Sequence, residues 1–336
     1  MTQNPFFHIL AISSVILFSA MYFLLNGSST FGAFAPLSID DVAAVSGVSA
    51  RQEDLFVPDG QFSPFPVSED VKNSIPEIIK KSVGPDPVLD SGMAIVMDSL
   101  SGKIIFSRDA NRTAPIASIT KLMTALVFLD NNPGWEQEYQ IRPEDKVEGG
   151  KEYIYNGDVC RIKDLFYLSL VGSANSATLA LAHATGLEES GFIAAMNKKA
   201  RDLNLEDTSF ADPVGLSNHN VSTALEVAKI AKIALADESI RTAVLSKQYE
   251  FATAGGRNIK VFSTDALLDS YPADSINLEG GKTGYTEAAG YCFVGKFSQS
   301  GAREIITVVL GGPDIDFRFA KTKELTEWAY NSFEWQ

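Results

Sequence analysis

Ala117-Ser118-Ile119-Thr120-Lys121-Leu122-Met123-Thr124 opens an apolar run that continues to Asp130, and the pattern predicts a helix over 118–130. A serine at a helix start is ordinarily an N-cap, and that is the plain structural account of Ser118. Lys121 stands three positions later, however, so one turn of helix puts hydroxyl and amine on the same face. A helix N-terminus also presents unpaired amides and the positive end of the dipole. A serine nucleophile needs those three things together: an amine to take its proton, a fixed geometry, and donors for an oxyanion.

Two further segments belong with this one. Ser173-Ala174-Asn175 falls in a turn between two predicted helices, where Ser and Asn are also common for purely local reasons. Glu279-Gly280-Gly281-Lys282-Thr283-Gly284-Tyr285-Thr286 reads as a strand end flanked by glycines. A Walker phosphate loop is excluded there, because it needs glycine six residues before Lys282, where Ile276 stands. Each segment alone is weak; their order and placement carry the weight.

Outward from these segments, strands are predicted at 93–98 and 103–107, joined by the turn Ser99-Leu100-Ser101-Gly102. Helices follow at 118–130, 162–171, 175–185, 188–203 and 223–236. Strands return at 247–252, 258–263, 277–282, 290–298 and 303–310, and a helix over 316–333 closes the chain. Strands, a helical block, strands and a final helix predict an α+β fold, in which an antiparallel β-sheet is flanked by helices and carries a helical insertion at about 118–240. Sites usually lie in the cleft between such layers.

The three segments match the Ser-x-x-Lys, Ser-x-Asn and Lys-Thr-Gly set of penicillin-recognising enzymes. The chain resembles the low-molecular-mass penicillin-binding proteins, the D-alanyl-D-alanine carboxypeptidases and endopeptidases. The likeness runs from about Met93 to Phe333 and includes Phe210-Ala211-Asp212-Pro213-Val214-Gly215-Leu216 and the run from Lys282 to Cys292. The resemblance implies a β-lactamase/transpeptidase-like fold and a serine peptidase acting on D-alanyl bonds of peptidoglycan peptides, with β-lactams as covalent inhibitors. It implies Ser118 as nucleophile and Lys121 as general base, its amine neutralised by burial and by the second cation Lys282. Ser173 would relay a proton to the leaving amine, and Asn175 would hold the substrate backbone and Lys121. The oxyanion would lie between the amides of Ser118 and Tyr285. Lys282, Thr283, Gly284 and Arg318 would form the substrate-binding strand and carboxylate site, Arg318 standing just before the last helix. No metal or other cofactor is implied.

Departures from the family pattern exist. Many relatives carry Asp or Asn where Ser176 follows the second motif. The chain ends soon after its last helix, a short layout closer to the endopeptidase branch. A class A β-lactamase would need a glutamate that activates the deacylating water, and the stretch from Phe210 to Leu216 offers none, so a long-lived penicilloyl-enzyme is expected. A catalytically silent wall-binding module is the alternative from another class, against which all three motifs are intact. A Ser–His–Asp hydrolase is disfavoured, since neither His183, in an apolar helical run, nor His219, in a turn, has a distinctive partner pattern; His183 reads as a packing residue.

The chain has 336 residues, 45% hydrophobic and 21% charged, with a formal charge of −14. This is ordinary globular composition with no cationic footprint for nucleic acid. The two cysteines, Cys160 and Cys292, read as buried free thiols, with a Cys160–Cys292 disulfide as the alternative. At the N-terminus, residues 6–25 form an apolar stretch; about 20 residues at 1.5 Å each span roughly 30 Å, a bilayer core. Residues 1–25 are therefore a transmembrane anchor or a cleaved signal segment. Ala33-Phe34-Ala35 resembles a cleavage site, but Pro36 directly after it favours the uncleaved anchor. Residues 26–87, rich in Pro, Ser and Gly, read as a tether with a short helix around 71–81, and the peptidase domain as 88–336. Either N-terminal reading places the domain outside the cytoplasm.

Overall fold

The structure is a computed structural model and describes residues 78–81, 85–300 and 302–335. The expected anchor and most of the tether lie outside the described residues. Among the described residues no helix is long and apolar enough to cross a membrane.

The sheet has five antiparallel strands: β1 (Met93–Asp98), β2 (Ile104–Arg108), β3 (Ile276–Thr286), β4 (Gly290–Gln299) and β5 (Ile305–Gly312). Their order is β3-β4-β5-β1-β2, so the N-terminal hairpin docks on the edge of the C-terminal meander. Leu310 opposes Met93 and Val308 opposes Ile95 across that join. β1 is buried along its whole length because it is sandwiched between two layers. Its side chains alternate accordingly. Ile95 and Met97 face the core shared with the helical block, whereas Ala94 and Val96 face the core under the last helix. The turn after β1 is closed by Asp98, whose Oδ2 accepts from the Ser101 amide at 2.8 Å.

Between β2 and β3 runs the helical block: α1 (Thr120–Asp130), α2 (Ile162–Val171), α3 (Asn175–Ala184), α4 (Glu189–Asp202), α5 (Ala224–Ala234) and α6 (Glu238–Val244). α7 (Ile315–Ser332) covers the other face of the sheet. α1 is apolar nearly all round and buried from Thr120 to Phe128. It is therefore a helix of the interior, with its N-terminus meeting the edge strand β3.

Four details differ from the sequence expectations. Ile79–Lys80 pairs antiparallel with Phe333–Glu334, and Ile78 is buried, so the folded part begins upstream of residue 88 and residues 79–80 are extended rather than helical. A two-residue strand whose partner stands at the far end of the chain leaves no local pattern. The hairpin Gln248–Ala252 with Asn258–Phe262 forms its own two-stranded sheet. The Lys-Thr-Gly motif lies inside β3 rather than at its end. Arg318 lies within the first turn of α7, not before it.

Candidate active site

Ser118 sits in a 3-10 turn, Ala117–Ile119, that leads directly into α1. Ala117 is held at φ +48°, a backbone conformation that L-residues rarely adopt. The turn is fixed from the other side by β3. A Cβ on Gly284 would stand 2.8 Å from the Ile116 carbonyl oxygen and 3.3 Å from the Ser118 nitrogen, so only glycine lets the edge strand pass so close to the serine amide.

Lys121 is fully buried, and its Nζ lies within hydrogen-bonding distance of three oxygens: Ser118 Oγ at 2.9 Å, Asn175 Oδ1 at 2.9 Å and the Val214 carbonyl at 2.7 Å. Burial, then the neighbouring Lys282, hold its pKa well below the lysine range, and Asp212 opposes them. In its neutral form such an amine can accept a proton from the hydroxyl beside it.

Asn175 is the first residue of α3. Its Nδ2 donates to the Gly149 carbonyl at 2.9 Å, which leaves Oδ1 for Lys121. The loop carrying Gly149 borders a cavity of about 210 Å³ lined by Lys146, Glu148, Gly150, Lys151 and Asn175. Ser173, in the turn between α2 and α3, has φ +54°. A non-glycine residue held there carries backbone strain.

Lys282 reaches from β3 across to the helical block, where its Nζ donates to Ser173 Oγ at 3.0 Å and to the Thr283 carbonyl at 3.0 Å. It is buried, and burial followed by Arg318 lowers its pKa to about 7, with Asp265 opposing. Thr283 Oγ1 is 2.6 Å from Thr264 Oγ1. Arg318 is also buried; its Nη1 donates to the carbonyls of Gly284 at 3.1 Å and Cys292 at 3.4 Å, which ties the guanidinium to the end of the motif strand. Tyr285 is exposed and lies against the Tyr291 ring, centroids 4.3 Å apart.

Several supporting residues had no role assigned from the sequence. Lys121's third acceptor, the Val214 carbonyl, is presented by a loop that Asp212 folds on itself. Asp212 Oδ1 accepts from the amides of Val214 at 2.6 Å and Gly215 at 2.5 Å, and its Oδ2 accepts from Ser217 at 2.6 Å. Asn220 and Thr124 pin this loop to α1: Asn220 Nδ2 donates to the Asp212 carbonyl and to Thr120 Oγ1, and Thr124 Oγ1 donates to the Pro213 carbonyl at 2.5 Å. An Asp followed by Pro is a turn signal, and that was the available clue.

Cys160 and Cys292 are free and buried. His183 Nδ1 is 2.6 Å from Asp145 Oδ1, and Asp145 also receives the Tyr139 hydroxyl and the Arg142 amide; no serine belongs to that group. Among the described residues no cluster of His, Cys, Asp and Glu is placed to hold a metal ion.

A buried lysine of lowered pKa bonded to a serine at a helix start, beside a lysine-bearing edge strand, defines a serine enzyme of the Ser-x-x-Lys acyl-transfer class. The chain belongs to the D-alanyl-D-alanine carboxypeptidase family, whose pattern it matches over residues 80–314. It is 33% identical over 222 residues to the D-alanyl-D-alanine endopeptidase of Escherichia coli K12, covering 62% of this chain and 67% of that protein. It is 28% identical over 251 residues to the D-alanyl-D-alanine carboxypeptidase DacF of Bacillus subtilis, covering 72% and 62%. Among solved structures it is similar to the Streptomyces K15 DD-transpeptidase, with TM-score 0.67 and 25% identity, covering 74% of this chain and 100% of that one. It is also similar to a D-alanyl-D-alanine carboxypeptidase of Mycobacterium tuberculosis H37Rv, with TM-score 0.67 and 28% identity, covering 75% and 95%. The chain thus spans about two thirds of the length of the curated relatives it matches.

Proposed function

We propose that this protein is a serine DD-peptidase that cleaves D-alanyl bonds in peptidoglycan stem peptides, acting as a D-Ala-D-Ala carboxypeptidase. The observation that carries the reading is the 2.9 Å bond between a buried Lys121 amine and the Ser118 hydroxyl. Lys121 takes the hydroxyl proton as Ser118 Oγ attacks the penultimate D-Ala carbonyl. The tetrahedral oxyanion lies between the amides of Ser118 and Tyr285. Lys282, Thr283 and Arg318 hold the terminal carboxylate along β3, with Gly284 keeping that strand against the nucleophile. Ser173, held by Lys282, passes a proton to the departing D-Ala amine, and Asn175 fixes both Lys121 and the peptide backbone. Water then hydrolyses the acyl-enzyme and returns Ser118. Similarity to the E. coli endopeptidase favours a second reading, cleavage of cross-links after a D-Ala, through the same steps. The domain sits outside the cytoplasm, held to the membrane by residues 6–25, and β-lactams trap it covalently.

The test is labelling with a fluorescent penicillin beside a Ser118→Ala variant. A lasting covalent band that vanishes in the variant is expected. A folded native protein that takes no label refutes the reading. Monomeric and cross-linked muropeptides separate carboxypeptidase from endopeptidase, and fractionation of cells tests the anchor.

A further inference from the structure

Asp265 is a buried carboxylate that the mechanism above does not use. It precedes a short 3-10 turn, Ala266–Asp269, and its Oδ1 accepts from the Leu267 amide at 2.9 Å. Its Oδ2 is buried and has no hydrogen-bond partner among the described residues. That oxygen lies against β3: a Cβ on Gly281 would come within 2.6 Å of it, and within 2.6 Å of Phe293 Cζ. The glycine just before Lys282 is thus what lets a carboxylate sit directly behind the motif strand. Thr264, beside Asp265, meets Thr283 Oγ1, so the segment is registered on the motif at two successive residues.

We propose that Asp265 is a positioning residue acting through Lys282, its buried carboxylate keeping the Lys282 ammonium charged where the substrate carboxylate docks.

The charges around it support this assignment. Lys282 on β3 and Arg318 on α7 are the cations that act on Asp265. Behind Arg318 lie the Tyr291 ring and the Cys292 thiol, which burial pushes up to about 11 and leaves uncharged. Beyond Lys282 stands Lys121 on α1, with Asp212 beside it. Burial and Arg318 both drive Lys282 toward neutrality, and Asp265 is the group that opposes them. Without it, two adjoining buried cations would face each other with no anion behind the strand, and Lys282 would give up its proton first.

The inference rests on the DD-peptidase reading, and one experiment separates the two. The second-order rate of acylation by a fluorescent penicillin, which carries a carboxylate, is followed against pH for the native protein, Asp265→Asn and Asp265→Ser. Both variants keep an acceptor for the Leu267 amide and remove the charge. The expected result is an alkaline limb displaced toward acid by about one pH unit, so that the rate drops about tenfold near pH 8.5 and less than about twofold near pH 6. A depsipeptide ending in carboxamide should show no displacement. A limb that stays in place, or a loss uniform across pH, overturns the role of Asp265, and the Ser variant decides the matter if the Asn variant does not fold. Failure of the native protein to be acylated at all would remove the underlying function instead.

Discussion

Asn220 has no place among the proposed reacting groups, yet its removal should damage both stability and acylation. Its side chain is fully buried and makes four hydrogen bonds. Oδ1 accepts from the amides of Ala211 at 2.8 Å and Asp212 at 3.1 Å; Nδ2 donates to the Asp212 carbonyl at 2.8 Å and Thr120 Oγ1 at 3.2 Å. Asn220→Ala leaves these groups unpartnered in the interior, at about 1 kcal/mol for each, so a loss of ~3–5 kcal/mol is expected. A domain with ~5–15 kcal/mol of stability remains folded at 25 °C after such a loss. The functional consequence runs through Asp212, whose turn presents the Val214 carbonyl to Lys121 at 2.7 Å. Once the loop is free to drift, Lys121 loses one of its three oxygen partners and swings from Ser118; misplacement of ~1 Å at a reacting group costs up to about a hundredfold. We expect acylation slowed at least ~10-fold, in line with that sensitivity. Urea unfolding gives the stability and fluorescent-penicillin labelling in native buffer gives the rate. A variant within ~1 kcal/mol of the native protein and labelled at the native rate would show that Asn220 does not anchor the loop.

Four further outcomes follow from the same geometry. Lys121→Met should slow acylation by ~10²–10⁴-fold, the range of general-base catalysis. In the native protein the acylation rate should climb with pH through the lowered pKa of Lys121, because the neutral amine is the active form; a pH-independent rate in the native protein argues against the base assignment. Gly284→Ala should cut labelling by ~10²-fold and cost ~1–3 kcal/mol, because the added methyl meets the Ile116 carbonyl and the strand must withdraw from the Ser118 amide; thermal melts with labelling measure both. Asp265→Asn should stabilise the protein at neutral pH. The Asp265 carboxyl is raised from 3.8 to about 6, first by burial. A group raised in the folded state adds stability below its unfolded pKa and loses it as pH rises through the folded one. The gain from the substitution should therefore be ~1–3 kcal/mol at pH 7 and fade toward pH 4, and an equal gain at both pH values in urea melts would count against the buried charge.

Sequence reading placed most of the longer helices and strands within a residue or two; among them α1, α2, α3 and β1 are buried, and their apolar patterns follow from burial. α6 escaped because seven residues hold too little period, although Asp237, whose side chain caps the amides of Ser239 and Ile240, marked its start. β3 was cut short at Lys282 because the glycine-flanked motif read as a strand end. In the fold at least two of its glycines mark places where the strand must pass another group closely: Gly281 at Asp265 Oδ2 and Gly284 at the Ser118 turn.

The division within the site has the same origin. Ser118 with Lys121, Ser173 with Asn175, and Lys282 with Thr283 are legible because each pair is local and its chemistry is written in adjacent letters. The residues that hold them in working order pair across the chain: Asn220 with Thr120, Asp212 with the loop facing Lys121, Asp265 with the strand of Lys282. No window of sequence contains both members of such a pair, and each supporting residue alone looks like an ordinary turn former. A serine and a lysine one helical turn apart occur by chance; what suits this pair to the proposed nucleophile and base is burial, which lowers the Lys121 pKa, and the Val214 carbonyl, which fixes its amine. Both come from the tertiary fold.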